Sequence, residues 1–402
     1  MWQKAKNLYH LLVSYIAAFY FKFPAKRLIV IGVTGTDGKS TTTNMIYHIL
    51  KSANLKVSMI SSVNAQIGTK TYDTGFHVTT PSPYQVQRFL RKAVNSRSKY
   101  FILETTSHRL DQNIVANIEF TVGVITNITH EHLDYHKTWE NYAHAKAKLF
   151  QKSKYSILNK DDTSFDLLKN AARGKIVTYS LDKKADVNRK NYKFNLKIPG
   201  EFNVYNALAA AAAAQTLGIN KKQIIKSLNS FAGIKGRMEE IVLGQSFKVF
   251  IDFAHTPNAL SQALRTLKSK IQNPKSKLIA VFGSAGERDQ QKRPQMGKAA
   301  AESADISIIT AEDPRSESVE EISKQIASGF AGKKEGKDFF KISDREEAIK
   351  KAIKIAKNGD IVATFGKSHE KSMCYGKTEH SWDEFETVKS AIKEVLKSNN
   401  AK

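Results

Sequence analysis

Gly32, Gly35 and Gly38 stand three residues apart and run directly into Lys39-Ser40-Thr41. Residues of these types in this order can cradle phosphate. Glycine lets backbone N–H groups close on phosphate oxygens, a lysine ammonium neutralises the outer phosphates, and a hydroxyl such as that of Ser40 can hold Mg²⁺. The strict Walker pattern wants a glycine where this chain has Val33, so the general motif is missed at one position. Two more polar clusters carry candidate ligands: Glu104-Thr-Thr-Ser-His-Arg109 and Thr126-Asn-Ile-Thr-His-Glu-His-Leu-Asp134. Mg²⁺ takes hard oxygen donors, which Ser40 and Glu104 supply, whereas His132 is a softer ligand suited to a second metal. Taken alone, the glycines read as a tight turn and each histidine as structural. Three such clusters in one chain point to a metal–nucleotide site.

Positioning these clusters requires strands that end at them. The apolar run Leu28–Val33 reads as a buried parallel strand, and Met45, Ile46, Ile49 and Leu50 recur at helical spacing beyond the glycines. Lys56–Ser61, Tyr100–Glu104, Phe120–Asn127 and Tyr155–Asn159 read as further strands. Thr79-Thr80-Pro81-Ser82-Pro83 marks a loop entering a helix, and Thr138–Gln151 has helical spacing. Between Gly174 and Pro199 short alternating segments suggest a small antiparallel patch. Asn203–Leu217 is an alanine-rich helix that a neighbouring backbone can approach closely. The pattern breaks at Phe231–Arg237, after which Lys248–Ile251, Leu278–Phe282, Ile306–Thr310 and Ile361–Phe365 alternate with helices. The expected architecture is α/β: a phosphate-loop, doubly wound central domain (27–233) followed by a Rossmann-like α/β domain (234–402), with an apolar N-terminal helix in 1–26. In open α/β sheets ligands sit at the carboxyl ends of strands, where all three clusters fall.

The totals narrow the classes. With 402 residues the chain is long enough for two or three domains with proper cores. Its single cysteine, Cys374, excludes an internal disulfide framework and suits a reducing cytosol. Sixty-three Lys and Arg against 38 Asp and Glu give +25, which would suit nucleic acid, an anionic membrane or anionic substrates. The lysines are spread through the chain instead of forming one basic block, so a lysine-rich composition is the simpler account and no nucleic-acid partner is expected. The uncharged run Leu11–Phe21 is too short to span a bilayer, which takes about 20 residues, and no small-residue cleavage site follows it. It reads as a helix docked on the first domain. The alternative is a membrane-surface helix with Trp2, Tyr9 and Tyr20 as interfacial aromatics.

Six motifs occur in an order that resembles the Mur ligase family: Thr34-Gly-Thr-Asp-Gly-Lys-Ser40, Glu104-Thr-Thr-Ser-His108, Thr126 through His136, Gly200-Glu-Phe-Asn-Val-Tyr-Asn-Ala-Leu-Ala-Ala210, Gly236-Arg-Met-Glu239 and Asp252-Phe-Ala-His-Thr-Pro257. The resemblance spans residues 28–395. Thr79-Thr80-Pro81, Gly286-Glu-Arg-Asp289 with Lys292-Arg-Pro294, Glu312-Asp-Pro-Arg315 and Gly366-Lys-Ser-His-Glu370 are similar to the branch that adds the third amino acid of the peptidoglycan stem. The resemblance implies an ATP-dependent amide ligase acting through an acyl phosphate. Gly35, Thr36, Asp37, Gly38, Lys39, Ser40 and Thr41 would hold the ATP phosphates. Ser40 and Glu104 would bind one Mg²⁺, and His132 with a carbamylated Lys146 the other; read without the family, Lys146 is a helix-surface lysine. By the same resemblance Asn203 and Asn206 meet the adenine, and Arg237 and Asp252 reach phosphates and ribose with His255 near them. Thr79, Thr80, Ser107 and His108 would face the muramoyl-peptide acceptor. Arg288, Glu312, Asp313, Arg315, Gly366 and Glu370 would face the amino acid. Lys39, Lys146 and His132 form the implied catalytic group, in a cytoplasmic monomer acting on small molecules, with peripheral membrane contact as a further expectation.

Three departures qualify that pattern. The family's usual first domain, which grips uridine diphosphate, has no counterpart in residues 1–26, so uridine recognition is expected to be weakened. The diaminopimelate-type motif reads Asp-Asn-Pro-Arg, and here Glu312-Asp313 replace its first two residues. Arg315 remains, favouring a third residue with a distal carboxylate, meso-diaminopimelate over lysine, while Asp313 adds a negative charge suited to an extra ammonium. Ser368 replaces a glycine. The rivals are a folylpolyglutamate- or cyanophycin-type ligase, and a basic phosphate-loop ATPase that binds nucleic acid.

Overall fold

A computed structural model describes residues 2–73 and 80–400; Thr79 and the side chain of Trp2 lie outside the described residues. The chain divides into two compact units, Met1–Ala232 and Gly233–Lys402.

The first unit is built on a nine-stranded sheet. Its strands are β1 (Ile29–Thr34), β2 (Val57–Ile60), β3 (Ala65–Ile67), β4 (Lys70–Tyr72), β5 (Tyr100–Glu104), β6 (Phe120–Ile125), β7 (Ser153–Asn159), β8 (Lys175–Ser180) and β9 (Val187–Asn188). They lie in the order β4-β3-β2-β5-β1-β6-β7-β8-β9. All pair in parallel except β3, which is antiparallel to β2 and β4. The central strands are buried on both faces, which is why they read as continuous apolar runs. Ile31, Val33, Ile102 and Val124 are fully buried, each contributing about 1.5–3 kcal/mol of apolar transfer. β1 lies between β5 and β6 in register Ile31↔Ile102 and Ile31↔Val122. The carboxyl ends of these three strands therefore open at one place, where the chain switches from one side of the sheet to the other.

The expectation of an antiparallel patch between Gly174 and Pro199 is overturned: β8 pairs in parallel with both β7 and β9. Alternation of side chains encodes the pleat and not the strand direction. Direction is set here by the crossover helix Phe165–Ala171, which returns the chain to the same end of the sheet between β7 and β8, and carboxylates then pin the turns. Asp161 accepts from Ser180 Oγ (2.8 Å) and Leu181 N–H (2.7 Å), and Asp186 accepts from Thr178 N–H (2.7 Å). The strand expected over Phe120–Asn127 ends at Ile125, because the next two residues turn into the glycine loop.

Two helices carry the site. One, Lys39–Ser52, follows the glycines; the other, Glu201–Thr216, buries an alanine run, Ala207–Ala214, and packs against it. The short alanine side chains let the two helices approach closely. The N-terminal helix, Trp2–Tyr20, lays Ser14, Ala17 and Ala18 against the unit, with Ser14 Oγ donating to Ile114 O (3.2 Å).

The second unit holds β10 (Glu239–Ile241), β11 (Lys248–Asp252), β12 (Leu278–Phe282), β13 (Ile306–Ile309), β14 (Phe339–Lys341) and β15 (Ile361–Phe365), in the order β10-β11-β15-β12-β13-β14. Only β10 is antiparallel to its neighbour. A hairpin, Ser372–Tyr375 with Thr378–Ser381, follows the sheet, and the last helix is Glu384–Asn400. Arg345 and Glu384, both fully buried, pair at 2.7 and 2.9 Å. Arg345 also donates to Ala311 O (3.0 Å) and Phe365 O (2.7 Å), tying the last helix to the strand ends.

Candidate active site

The glycine loop is held open by polar contacts from the turn after β6. Thr36 N–H donates to Asn127 O (2.9 Å), Asp37 N–H donates to Asn127 Oδ1 (2.9 Å), and Thr126 Oγ1 donates to Asp37 O (2.6 Å). At Gly35 a Cβ would lie 1.7 Å from Thr126 Oγ1; at Gly38, φ +78°, it would lie 2.2 Å from Asn206 Oδ1. Both positions therefore admit only glycine. Gly38 caps the Lys39–Ser52 helix without a side-chain hydrogen bond, so its first-turn amides have no side-chain cap there, and Thr41 is buried in that turn. Lys39 Nζ folds back onto Thr36 O (2.7 Å).

Ser40 and Glu104 meet as the spacing of the clusters suggested. Ser40 Oγ donates to Glu104 Oε1 (3.0 Å), and both contact Ser62: Ser62 N–H donates to Glu104 Oε2 (2.9 Å) and the two hydroxyls lie 2.7 Å apart. Ser62 was not singled out from the sequence; its only signal was its place just beyond β2. Thr80 Oγ1 donates to Glu104 O (3.0 Å), so one residue of the expected acceptor group is tied to the same strand end.

A ring cluster forms the far wall. His108 lies 4.7 Å from His132 and 4.3 Å from Tyr135, and Ser107 Oγ lies 3.0 Å from His136 Nε2. Burial, with the nearby His108, pushes His136 down to about 4, so its ring is neutral at physiological pH. His132 adopts φ +59° and starts a short helix, which turns its ring toward His108. Tyr142 and His136 were missed as individual residues, although His136 ends a motif; both gain their place only through packing.

Lys146 is fully buried, which overturns its reading as a helix-surface lysine. Its Nζ donates to Gly35 O (2.7 Å) and lies 4.4 Å from the Tyr142 ring centre. Burial and the neighbouring Lys39 charge hold its pKa well below the usual lysine value, against the pull of Asp37, Asp162 and Glu131. Asn206 accepts from Thr42 Oγ1 (3.3 Å) and donates to Asn203 Oδ1 (3.2 Å), which places both asparagines beside the loop.

In the second unit the expected residues gather at the carboxyl ends of β11, β15, β12 and β13, four neighbouring strands. Asp252 accepts from Met238 N–H (2.7 Å) and Ala254 N–H (2.8 Å). Burial raises its pKa against the opposing Arg237 charge. The Arg237 guanidinium lies 4.4 Å over the Phe253 ring, and His255 packs 4.8 Å from the same ring. Glu312 is buried beside Gly366, and burial pushes its carboxyl up to about 7 despite Lys292 and Arg345. Asp313 and Arg315 both take positive φ, +45° and +52°, conformations that cost non-glycine residues energy and that surrounding contacts must hold. The Asp313 carboxylate accepts from Lys367 Nζ (2.8 and 3.0 Å) and Cys374 N–H (3.0 Å); Glu370 accepts from the same ammonium (2.7 Å). The charge that Asp313 adds is thus already met inside the unit. Arg315 Nη1 donates to Gly286 O (2.6 Å), whereas Arg288, from the same loop, is exposed. Ser368, in place of the family glycine, keeps φ +45° and donates to Gly236 O (2.6 Å), a bond a glycine could not make.

Comparison with known proteins agrees with this arrangement. Residues 33–214 match the Mur ligase middle domain, and residues 236–368 match the Mur ligase, glutamate ligase domain. The chain is 40% identical over 417 positions to the UDP-N-acetylmuramyl-tripeptide synthetase of Borreliella burgdorferi, covering 97% of this chain and 81% of that protein. It is 37% identical to UDP-N-acetylmuramoyl-L-alanyl-D-glutamate–2,6-diaminopimelate ligase 1 of Clostridium acetobutylicum, covering 96% and 82%. A solved structure of a UDP-N-acetylmuramoyl-L-alanyl-D-glutamate–2,6-diaminopimelate ligase superposes with a TM-score of 0.60 at 33% identity, over 91% of this chain and 78% of that one. Both domain models match in chain order and the likeness runs through nearly every residue, so the protein belongs to the Mur ligase family.

Proposed function

We propose that this protein is the ATP-dependent ligase that adds the third amino acid, meso-diaminopimelate in preference to lysine, to a UDP-N-acetylmuramoyl-L-alanyl-D-glutamate-type acceptor in peptidoglycan synthesis. The observation that carries the reading is the junction of the glycine loop with Ser40 and Glu104, 3.0 Å apart at neighbouring strand ends. An acceptor carboxylate attacks the γ-phosphorus of ATP, giving an acyl phosphate and ADP; the amine of the incoming amino acid then displaces phosphate and closes the amide. Lys39 and the first-turn amides would hold the phosphates as charge moves between oxygens, which is where positioning and electrostatics supply most of the rate.

The donor set fits magnesium. Ser40 and Glu104 offer two hard oxygens, and Mg²⁺ typically takes few protein ligands beside phosphate and water. Ser40 and Glu104 would hold one ion and His132 with Lys146 a second; bound Mg²⁺ would offset negative charge on the transferring phosphoryl group. For Lys146 we propose the carbamate. Burial and the Lys39 charge lower the pKa of Lys146, which favours the neutral amine; that form adds CO₂, releasing one proton and leaving a carbamate anion. Asn203 and Asn206 are assigned to the adenine, and Arg237, Asp252 and His255 to further ATP contacts. Thr79, Thr80, Ser107 and His108 are assigned to the acceptor, and Arg288, Glu312, Asp313, Arg315, Gly366 and Glu370 to the amino acid. We place the enzyme in the cytoplasm as a monomer.

The test is an ADP-release screen crossing muramoyl-dipeptide acceptors, with and without UDP, against a panel of amino acids. Turnover is expected only when acceptor and diamino acid are both present. ADP release that needs neither, or that rises with DNA or RNA, refutes the ligase reading.

A further inference from the structure

We infer that Ser368 is a positioning residue for the nucleotide contact assigned to Arg237. The inference rests on the reading that gives Arg237 to ATP and Gly366 and Glu370 to the amino acid. β15 ends at Phe365, and the chain then turns over residues 366–370. Ser368 is buried in that turn and holds φ +45°, a conformation that costs a serine energy and that persists where surrounding contacts fix it. Its hydroxyl donates to Gly236 O (2.6 Å). Gly236 is buried too, and a Cβ on it would lie 1.8 Å from Ser368 Oγ. Serine at 368 and glycine at 236 are therefore matched: the hydroxyl occupies the space that a side chain at 236 would need.

The Gly236 carbonyl belongs to the peptide that leads into Arg237. The N–H of that same peptide donates to Ile234 O (3.2 Å), and the next N–H, from Met238, donates to Asp252 (2.7 Å). With its carbonyl and its N–H both bonded, the peptide plane is fixed, and so is the direction in which Arg237 leaves the backbone. The far end of Arg237 is guided from the same turn. Its guanidinium lies 4.4 Å from the centre of the Phe253 ring, and His369, the residue after Ser368, packs 4.9 Å from that ring. Adjacent residues of one turn thus reach the root of Arg237 and the platform under its charge.

The amino-acid side of the turn is anchored independently. Lys367 donates to Asp313 (2.8 and 3.0 Å) and to Glu370 (2.7 Å), charge-assisted bonds that remain when the hydroxyl at 368 is removed. Loss of the hydroxyl should therefore release the Gly236 side and leave the Glu370 side in place. A buried carbonyl deprived of its donor turns toward another, and turning it swings Arg237.

The test is a double-mutant cycle on the full chain, read by titration calorimetry with Mg²⁺ and a non-hydrolysable ATP analogue. Arg237→Ala should weaken nucleotide binding by about tenfold or more. Ser368→Ala should weaken it by about fivefold, the loss expected of one neutral hydrogen bond. In the Arg237→Ala background the same change should cost less than about twofold, because the residue it acts through is gone. Ser368→Gly removes the hydroxyl but relieves the positive φ, so it should melt no lower than Ser368→Ala while losing nucleotide affinity equally. Should Ser368→Ala fail to fold, the cycle runs on Ser368→Gly. In ADP release the KM for diaminopimelate should move by less than about twofold in either Ser368 variant. Unchanged nucleotide affinity in the Ser368 variants, or an undiminished loss in the Arg237→Ala background, overturns the inference. So does an equal rise in the KM for diaminopimelate, which would mark a general loosening of the turn. Arg237→Ala without effect on nucleotide binding takes down the ATP assignment of Arg237 and the inference with it. A wild type that turns over without diaminopimelate refutes the ligase reading alone, and the nucleotide cycle still judges Ser368.

Discussion

Replacing Arg315 by alanine separates amino-acid recognition from structure. The backbone at this residue is pinned whatever its side chain: its N–H donates to Cys374 O (3.0 Å) and its C=O accepts from Gly376 N–H (2.8 Å). Two side-chain terms are lost on truncation. The bond from Nη1 to Gly286 O (2.6 Å) is charge-assisted and worth about 1.5–3 kcal/mol, and its loss falls equally on every amino-acid substrate. A contact with the distal carboxylate of diaminopimelate would be worth about 2–5 kcal/mol, and lysine has no group to make it. Arg315→Ala should therefore lower kcat/KM for diaminopimelate by at least about 30-fold more than for lysine. The assay is ADP release at saturating ATP and acceptor, with each amino acid varied against wild type and variant. The ratio of the two losses cancels the shared Gly286 term. An equal loss for both substrates would show that Arg315 only holds the Gly286 loop, and the proposed preference for diaminopimelate would fail.

Two further perturbations test the metal region and the second unit. Glu104→Gln keeps an acceptor for Ser40 or for Ser62 N–H but removes the charge, so the Mg²⁺ concentration for half-maximal ADP release should rise by about tenfold or more. In the same assay Lys146→Ala should be inactive and partly restored by short carboxylates; a panel that never restores turnover removes the carbamate. Glu312 is pushed up to about 7 by burial, so between its unfolded value of 4.5 and 7 the folded protein binds the proton more tightly than the unfolded chain does. Stability should then fall as pH rises through that window, by about 3 kcal/mol in total. Denaturation of Glu312→Gln at pH 5 and pH 8 should show a flatter profile than wild type, and parallel profiles would refute the assignment of that charge cost to Glu312.

Local order was legible wherever one residue type has one physical use. Gly35 and Gly38 announce a tight loop, and the Leu28–Val33 run announces a strand buried on both faces; which atoms close on the glycines, Thr126 Oγ1 and Asn206 Oδ1, only the fold decides. Ser40 and Glu104 could be paired in advance because ligands collect at the carboxyl ends of parallel strands. Strand direction after Gly174 was not legible, since a pleat looks the same read either way and the parallel pairing of β8 follows from the crossover helix Phe165–Ala171, which lies before that segment. Nor was the state of Lys146: its spacing from Tyr142 and Phe150 puts it on the apolar face of its helix, but only the fold shows it sealed beneath Gly35 while Lys148 reaches Asp111. Asp313 changed meaning for the same reason. As a sequence symbol it added a charge, but Lys367, 54 residues away, takes up that charge once the strands are side by side. Chemistry carried by backbone shape was written in the sequence itself. Chemistry carried by burial and by charge partners from other strands came into being only when the sheet assembled.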